Sequence, residues 1–363
     1  MWEGKMVGLI LLMMTMEVMD VTCNTIGKVA MANGLSSFIF TTYTHGIAFF
    51  FLIPFAFLYH RSNPVPPISF SMIFRLFLLG SACGGCSMLS FVGIRYSSPT
   101  LASAMNNLSP ALTFLMGILF RMENLNLRAH SSLLKLVGTF VSISGAFIVT
   151  FYQGLPIIIF STPPAELFHS LLRGTAEPNW VLGGFLLFTS CVFLSISLII
   201  KTWIAREFRS EVLITVISFF FEVLVAGLVA FIAEEDKSVW TPNVQIIWIA
   251  LLFGALEVAL VNIVQTWACG KKGPLFVAMF KPLQMIIAVI LGVSFLKDVL
   301  HLGSVIGGTI IGIGFYTVMK GKAEEEMKKE GDESDDESAV LHSSEEDASP
   351  HKVPLLHNQN IDV

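Results

Sequence analysis

Charged side chains are scarce in this sequence. Asp, Glu, Lys and Arg make up 13% of its 363 residues, apolar residues make up 54%, and the mean hydropathy is +0.73. A water-soluble domain carries about twice that share of charge, so a soluble enzyme or binding module is excluded. A basic excess is missing too. The formal net charge is -5, and the acidic residues gather near the C-terminus in EEEMKKEGDESDDE and SSEED, which excludes a nucleic-acid surface. Cysteines are few: Cys23, Cys83, Cys86, Cys191 and Cys269 lie in or beside apolar segments, so no disulfide framework is expected. The CGGC of Cys83 to Cys86 has redox or metal spacing, but it stands in the small-residue run SACGGCS, whose expected use is close helix packing. No Walker pattern, nucleophile elbow, paired catalytic histidines or metal cluster occurs, so neither an enzyme nor a cofactor is expected. The N-terminal MWEGKMVG has no basic n-region and no Ala-x-Ala pattern, and reads as the start of a retained first span.

What the sequence does have is long apolar runs. At about 20 residues per crossing, spans are predicted near 6 to 28, 36 to 59, 72 to 94, 99 to 119, 132 to 152, 180 to 200, 211 to 233, 246 to 267, 274 to 296 and 302 to 319. The fold class is therefore an all-α integral membrane protein of ten transmembrane helices. With the N-terminus in the cytosol, the short inner loops carry Arg61, Arg75, Arg121, Arg128, Lys135, Lys201, Arg206, Arg209, Lys271 and Lys272, followed by Lys320 and Lys322. The outer side keeps only Lys28, Arg95, Arg173, Lys237 and Lys297, a bias that sets both termini inside.

The chain also repeats itself. PTLASAMNNLSPALTFLMGILFRMENLNL (Pro99 to Leu127) lies over PLFVAMFKPLQMIIAVILGVSFLKDVLHL (Pro274 to Leu302), matching Pro99 with Pro274, Glu123 with Asp298 and Leu127 with Leu302. Five spans per half is an odd number, so the second copy enters the membrane from the opposite side, an inverted repeat that suits alternating access. The expected organisation is a first five-helix repeat over 1–152, an extracytosolic connector over 153–179, a second repeat over 180–320 and a disordered acidic cytosolic tail over 321–363. In that tail Ser334 precedes DDE, and Ser343 and Ser344 precede EED, which makes them candidates for an acid-directed kinase. VPLL at 353 to 356 has the look of a sorting signal, with His351 where an acidic residue would be expected.

A charge near the bilayer centre costs about 2.5–3.5 kcal/mol on insertion scales, so each one faces a cavity or a partner. Glu17, Asp20 and Asn24 share one helical face. Glu257 has Asn262 and Gln265 near it on the same helix, whereas Glu222 stands alone in FFFEVLV and reads as a buried polar contact, as His45 does. Lys281 lies seven residues past Pro274, about 10 Å along a helix, beside Pro282 and Gln284. Pro282 deprives an earlier carbonyl of its helix partner, and Asn106, Asn107, Ser109 and Pro110 form a similar proline-interrupted patch in the repeat partner. Two such interruptions at corresponding places suggest a central site. Snorkelling of Lys281 back to the cytosolic face is the alternative.

NNLSPALTFLMGILFRMENLNLRAHSSLLKLVGT, QTWACGKKGPLFVAMFKPL, AMANGLSSFIFTTY and LHLGSVIGG together resemble the plant nodulin-21-like, WAT1-related group of the drug/metabolite transporter superfamily, with paired EamA-type domains and many members called UMAMIT amino-acid transporters. The resemblance covers about residues 5 to 320. It implies ten spans and facilitated or proton-linked movement of small organic solutes, amino acids foremost and auxin-type indole acids as the alternative, across the plasma membrane or the vacuolar membrane. The partners it implies are a small-molecule substrate, protons and the lipid bilayer. This chain departs in YTHGIAFFFLIPF, where relatives commonly have an arginine after the tyrosine and here Thr44 and His45 follow. For a zwitterion, Lys281 opposite Glu17, Asp20 or Glu257 would supply both signs. A receptor or scaffold that moves no solute is the alternative of a different class.

Overall fold

The structure, a computed structural model, describes residues 2–62, 69–97, 99–122, 130–152, 155–158, 180–208, 210–234, 240–241, 245–291 and 300–346. Helix α1 runs over Trp2–Ala32, α2 over Ser37–Ser62 and α3 over Phe70–Tyr96. A broken pair follows, α4 at Pro99–Asn106 and α5 at Ser109–Leu119, and then α6 at His130–Phe151. In the second half, α7 spans Trp180–Glu207, α8 Glu211–Ala233 and α9 Gln245–Lys272. They lead to a second broken pair, α10 at Pro274–Ala278 and α11 at Leu283–Leu291, and to α12 at Leu302–Glu346. Outside the helices, β1 (Pro156–Ile158) pairs antiparallel with β2 (Leu300–His301), tying the connector to the turn before α12. Most of the connector, Glu123 and Asp298 of the repeat match, and VPLL lie outside the described residues.

Seven helices among the described residues are long and apolar enough to cross a membrane: α1, α2, α3, α7, α8, α9 and the α10–α11 pair taken together. They coincide with seven of the expected spans. The expected fourth span is the α4–α5 pair, the fifth is α6, and the tenth is the first part of α12. Large apolar side chains such as Phe50, Phe57, Phe140, Val181 and Phe231 are exposed on the outer faces, as lipid contact requires.

The packing has a pattern. Number the passes in order, counting each broken pair as one. Pass one packs on pass eight (α1 on α9), and pass six on pass three (α7 on α3). Pass two packs on pass eight (α2 on α9), and pass seven on pass three (α8 on α3). Pass four packs on six (α5 on α7), and pass nine on one (α11 on α1). Of the other interfaces, α6 on α12 and α2 on α8 join passes that are five apart, and α7 on α9 answers to α1 on α3. Exchanging each pass with the one five along maps these contacts onto one another.

Close approach in the α6–α12 interface rests on small residues. Gly307, Gly314 and Gly321 recur every seven residues on α12, and a Cβ on Gly314 would come within 2.7 Å of the Gly138 carbonyl oxygen. A Cβ on Gly145 would come within 2.8 Å of the Gly307 carbonyl oxygen. The helices therefore touch backbone to backbone, as small-residue membrane contacts do. The SACGGCS run packs against side chains instead: Gly84 faces Glu222 and Gly85 faces the Phe193 ring, and all five cysteines are free.

One difference from the sequence reading concerns the tail. Residues 321–346, expected to be disordered, continue α12 to Glu346. The Ala, Glu, Met and Lys of this stretch are good helix formers, and its first turn is anchored: Lys135 donates to Glu325 at 2.7 Å, and His130 lies 3.0 Å from Glu324. Ser334, Ser343 and Ser344 fall on this helical extension.

Candidate solute site

Both broken pairs take their geometry from proline. Pro282 has no N–H, so the Ala278 carbonyl four residues back has no α-helical donor. It accepts instead from the Lys281 N–H at 3.1 Å, and i to i+3 bonds continue through Leu283, Gln284 and Met285. That tight stretch carries Lys281 and Gln284 into the bundle. In the first half α4 stops at Asn106, the chain turns through Asn107 and Leu108, and α5 restarts with Pro110 in its first turn, where a missing N–H costs nothing.

The two breaks meet. Asn106 donates to Gln284 Oε1 at 2.9 Å, a contact across 178 residues of chain. Gln284 Nε2 in turn donates to Glu17 and Asp20, each at 2.6 Å. Lys281 donates to Glu17 at 3.1 Å and Asp20 at 2.9 Å. Asn24 completes the row with a bond to Asp20 Oδ1 at 3.2 Å. Lys281 is 3% exposed and Glu17 1%, so the lysine does not snorkel: it neutralises the acidic face of α1 inside the bundle.

Beside this cluster lies a cavity of about 130 Å³ lined from α1, α2, α3, α4, α7, α8 and α9 and by Lys281 at the second break. Of the residues singled out in the sequence, Asp20, Asn24, Asn106, Glu257, Asn262 and Lys281 line it. Glu17 and Gln284 stand behind that wall as partners of Lys281. Asn107 is buried away from the cavity lining, with both amide atoms lacking a hydrogen-bond partner among the described residues.

Sequence reasoning passes over two pairings. The first is His45 with Glu222, where the ring Nε2 lies 2.9 Å from Oε1 and both line the cavity. His45 Nδ1 lies 2.7 Å from the Thr41 carbonyl oxygen, which only accepts, so Nδ1 carries a proton. The second is Lys201 of α7, 3% exposed and donating to Asn262 Oδ1 at 2.7 Å and Gln265 Oε1 at 3.0 Å. The sequence reading assigns Lys201 to an inner loop because it follows the last residue of the predicted sixth span. In the structure α7 continues to Glu207 and Lys201 reaches the cavity.

The resulting charge arrangement is uneven. Lys281 serves two carboxylates and His45 faces one. Glu257 lines the cavity with no ion-pair partner among the described residues, and Lys201 has two neutral amides. One wall thus offers a carboxylate and another an ammonium, each without an opposite charge in contact among the described residues.

Residues 7–151 match the EamA-like transporter family. A WAT1-related protein of Arabidopsis thaliana is 42% identical over 356 residues, covering 96% of this chain and 94% of that protein. The chain belongs to the WAT1-related, EamA-like transporter family. A second WAT1-related protein of Arabidopsis thaliana is 36% identical over 320 residues, covering 87% of this chain and 89% of its own. One solved crystal structure shares the fold, with a TM-score of 0.61 over 86% of this chain and 97% of that one at 13% identity. A WAT1-related chain with these apolar helices is a multi-pass membrane transporter, with a small-molecule substrate and the bilayer as its surroundings.

Proposed function

We propose that this WAT1-related chain moves small amino acids by alternating access, as a ten-crossing inverted repeat whose two halves (1–152 and 180–320) enclose the solute. Both termini face the cytosol in this reading, which follows the Lys and Arg bias of the short loops. The observation that carries it is the cavity between the halves, with Glu257 and Lys201 in its walls and the two proline breaks meeting beside it. A zwitterion asks for one group of each sign, and a cavity wall with a carboxylate and an ammonium that have no ion-pair partner among the described residues is complementary to it. The size of the cavity favours the same solute. Benzene fills an engineered cavity of about 150 Å³, and a site of about 130 Å³ is of a size to suit a small amino acid. Protons fit as the coupling ion, since an imidazole and a carboxylate, those of His45 and Glu222, lie 2.9 Å apart at the cavity wall. The plasma membrane is the proposed location.

The test is flux of a labelled amino-acid mixture, with indole-3-acetate in parallel, from proteoliposomes holding the whole chain. Amino-acid flux is the expected result. Flux of indole-3-acetate alone would move the substrate to the indole acids, and no flux of either would overturn the proposal.

A further inference from the structure

The geometry points to Lys201, clamped by Asn262 and Gln265, as the seat for the solute's carboxylate. Lys281 has the opposite assignment: it is a strut whose charge is already spent. This inference rests on the zwitterion reading above and adds to it which end of the solute goes where.

Three observations carry it. First, among the cavity-lining cations Lys201 alone has only neutral partners, the two amide oxygens. An ammonium has three N–H donors, and two are taken; the third is free to meet an anion. Second, the amides hold the ammonium without neutralising it, so its charge is available to an anion in a setting less polar than bulk water. Third, the spacing fits. Glu257, Val258, Val261, Asn262 and Gln265 all line the cavity from one face of α9. Asn262 and Gln265 lie five and eight residues past Glu257, roughly 7.5 and 12 Å along a helix. A solute with its two charged groups about 3 Å apart, hydrogen-bonded at about 3 Å to each wall, spans roughly 9 Å. Lys201 is therefore at the right separation to take the carboxylate while Glu257 takes the ammonium.

Bringing a carboxylate to Lys201 makes a charge-assisted bond, and removing the charged partner of such a bond costs roughly ten-fold or more in affinity. The experiment uses the amino acid that wild-type proteoliposomes move fastest, with its unlabelled carboxamide as competitor. The carboxamide keeps the amine and loses the anion. In the wild type the carboxamide is expected to compete at least roughly ten-fold less well than the parent amino acid. Lys201→Met is expected to raise the apparent KM by a similar factor and to bring amino acid and carboxamide within about two-fold of each other, and Lys201→Arg to restore part of the preference. A Lys201→Met protein that still prefers the amino acid over its carboxamide would overturn the seat. If that variant fails to fold, the wild type still decides: equal competition by carboxamide and amino acid would overturn the seat while leaving amino-acid transport intact. Absence of amino-acid flux in the wild type overturns the zwitterion reading itself. Should indole-3-acetate be moved instead, the same comparison is made with indole-3-acetamide, and loss of discrimination in Lys201→Met supports the carboxylate seat for that anion.

Discussion

Lys281 donates to two carboxylates and Lys201 to two amides, and that difference in partners sets what each substitution costs. Lys281→Met leaves Glu17 and Asp20 side by side with no cation between them, and breaking a buried pair by removing one partner typically costs about 3–5 kcal/mol. The expected outcome is a clear fall in the unfolding midpoint of the detergent-solubilised protein, partly recovered when Glu17→Gln is added to remove one stranded charge. A Lys281→Met protein as stable as the wild type would mean that the lysine reaches water and is not the strut described. At this scale the sequence is informative about position and silent about partnership. A charge inside an apolar run is conspicuous because insertion is costly, which singles out Glu17, Asp20, Glu257 and Lys281. Which of them meet is set by helix packing across 264 residues, and no local spacing encodes it. Lys201 escapes because it stands at the edge of its apolar run, where a lysine reads as loop, and Glu222 because its partner His45 lies on another helix.

At the scale of elements, two devices repeat in both halves. The proline breaks at Pro110 and Pro282 end one helical stretch and start another, and this is legible from the sequence because a proline inside an apolar run has one common consequence. The glycine faces are partly legible: a run such as GGTIIGIGFYTVMKG suggests helix contact, but that Gly314 meets Gly138 requires the fold. Gly314→Leu forces α6 and α12 apart where their backbones touch, and overpacking of this kind costs about 1–3 kcal/mol. The expected result is a lower unfolding midpoint, whereas Gly312→Leu, at a position with open space around it, should leave stability near wild type. Equal effects of the two would contradict the backbone contact. The extension of α12 to Glu346 is where composition misleads: a high density of charge suggests disorder, yet the same Glu and Lys residues favour helix, and Lys135 and His130 on α6 supply local partners.

At the scale of the whole molecule, the exchange of passes five apart leaves the helix contacts matched, and the mixed-charge cavity lies beside the junction of the two broken pairs. Alternating access needs such an arrangement, in which two similar halves rock about one site. The transporter fold was legible from hydrophobic runs, loop charge and the internal repeat. The cavity was not, because its walls come from seven helices distributed over both halves. If solute passes through this cavity, filling it stops flux. Ser87 lines it from α3 and is half-buried. In proteoliposomes Ser87→Trp is expected to abolish amino-acid flux with the folded helical content retained, while Phe231→Trp on the exposed face of α8 keeps wild-type flux. Undiminished flux through Ser87→Trp would contradict the account.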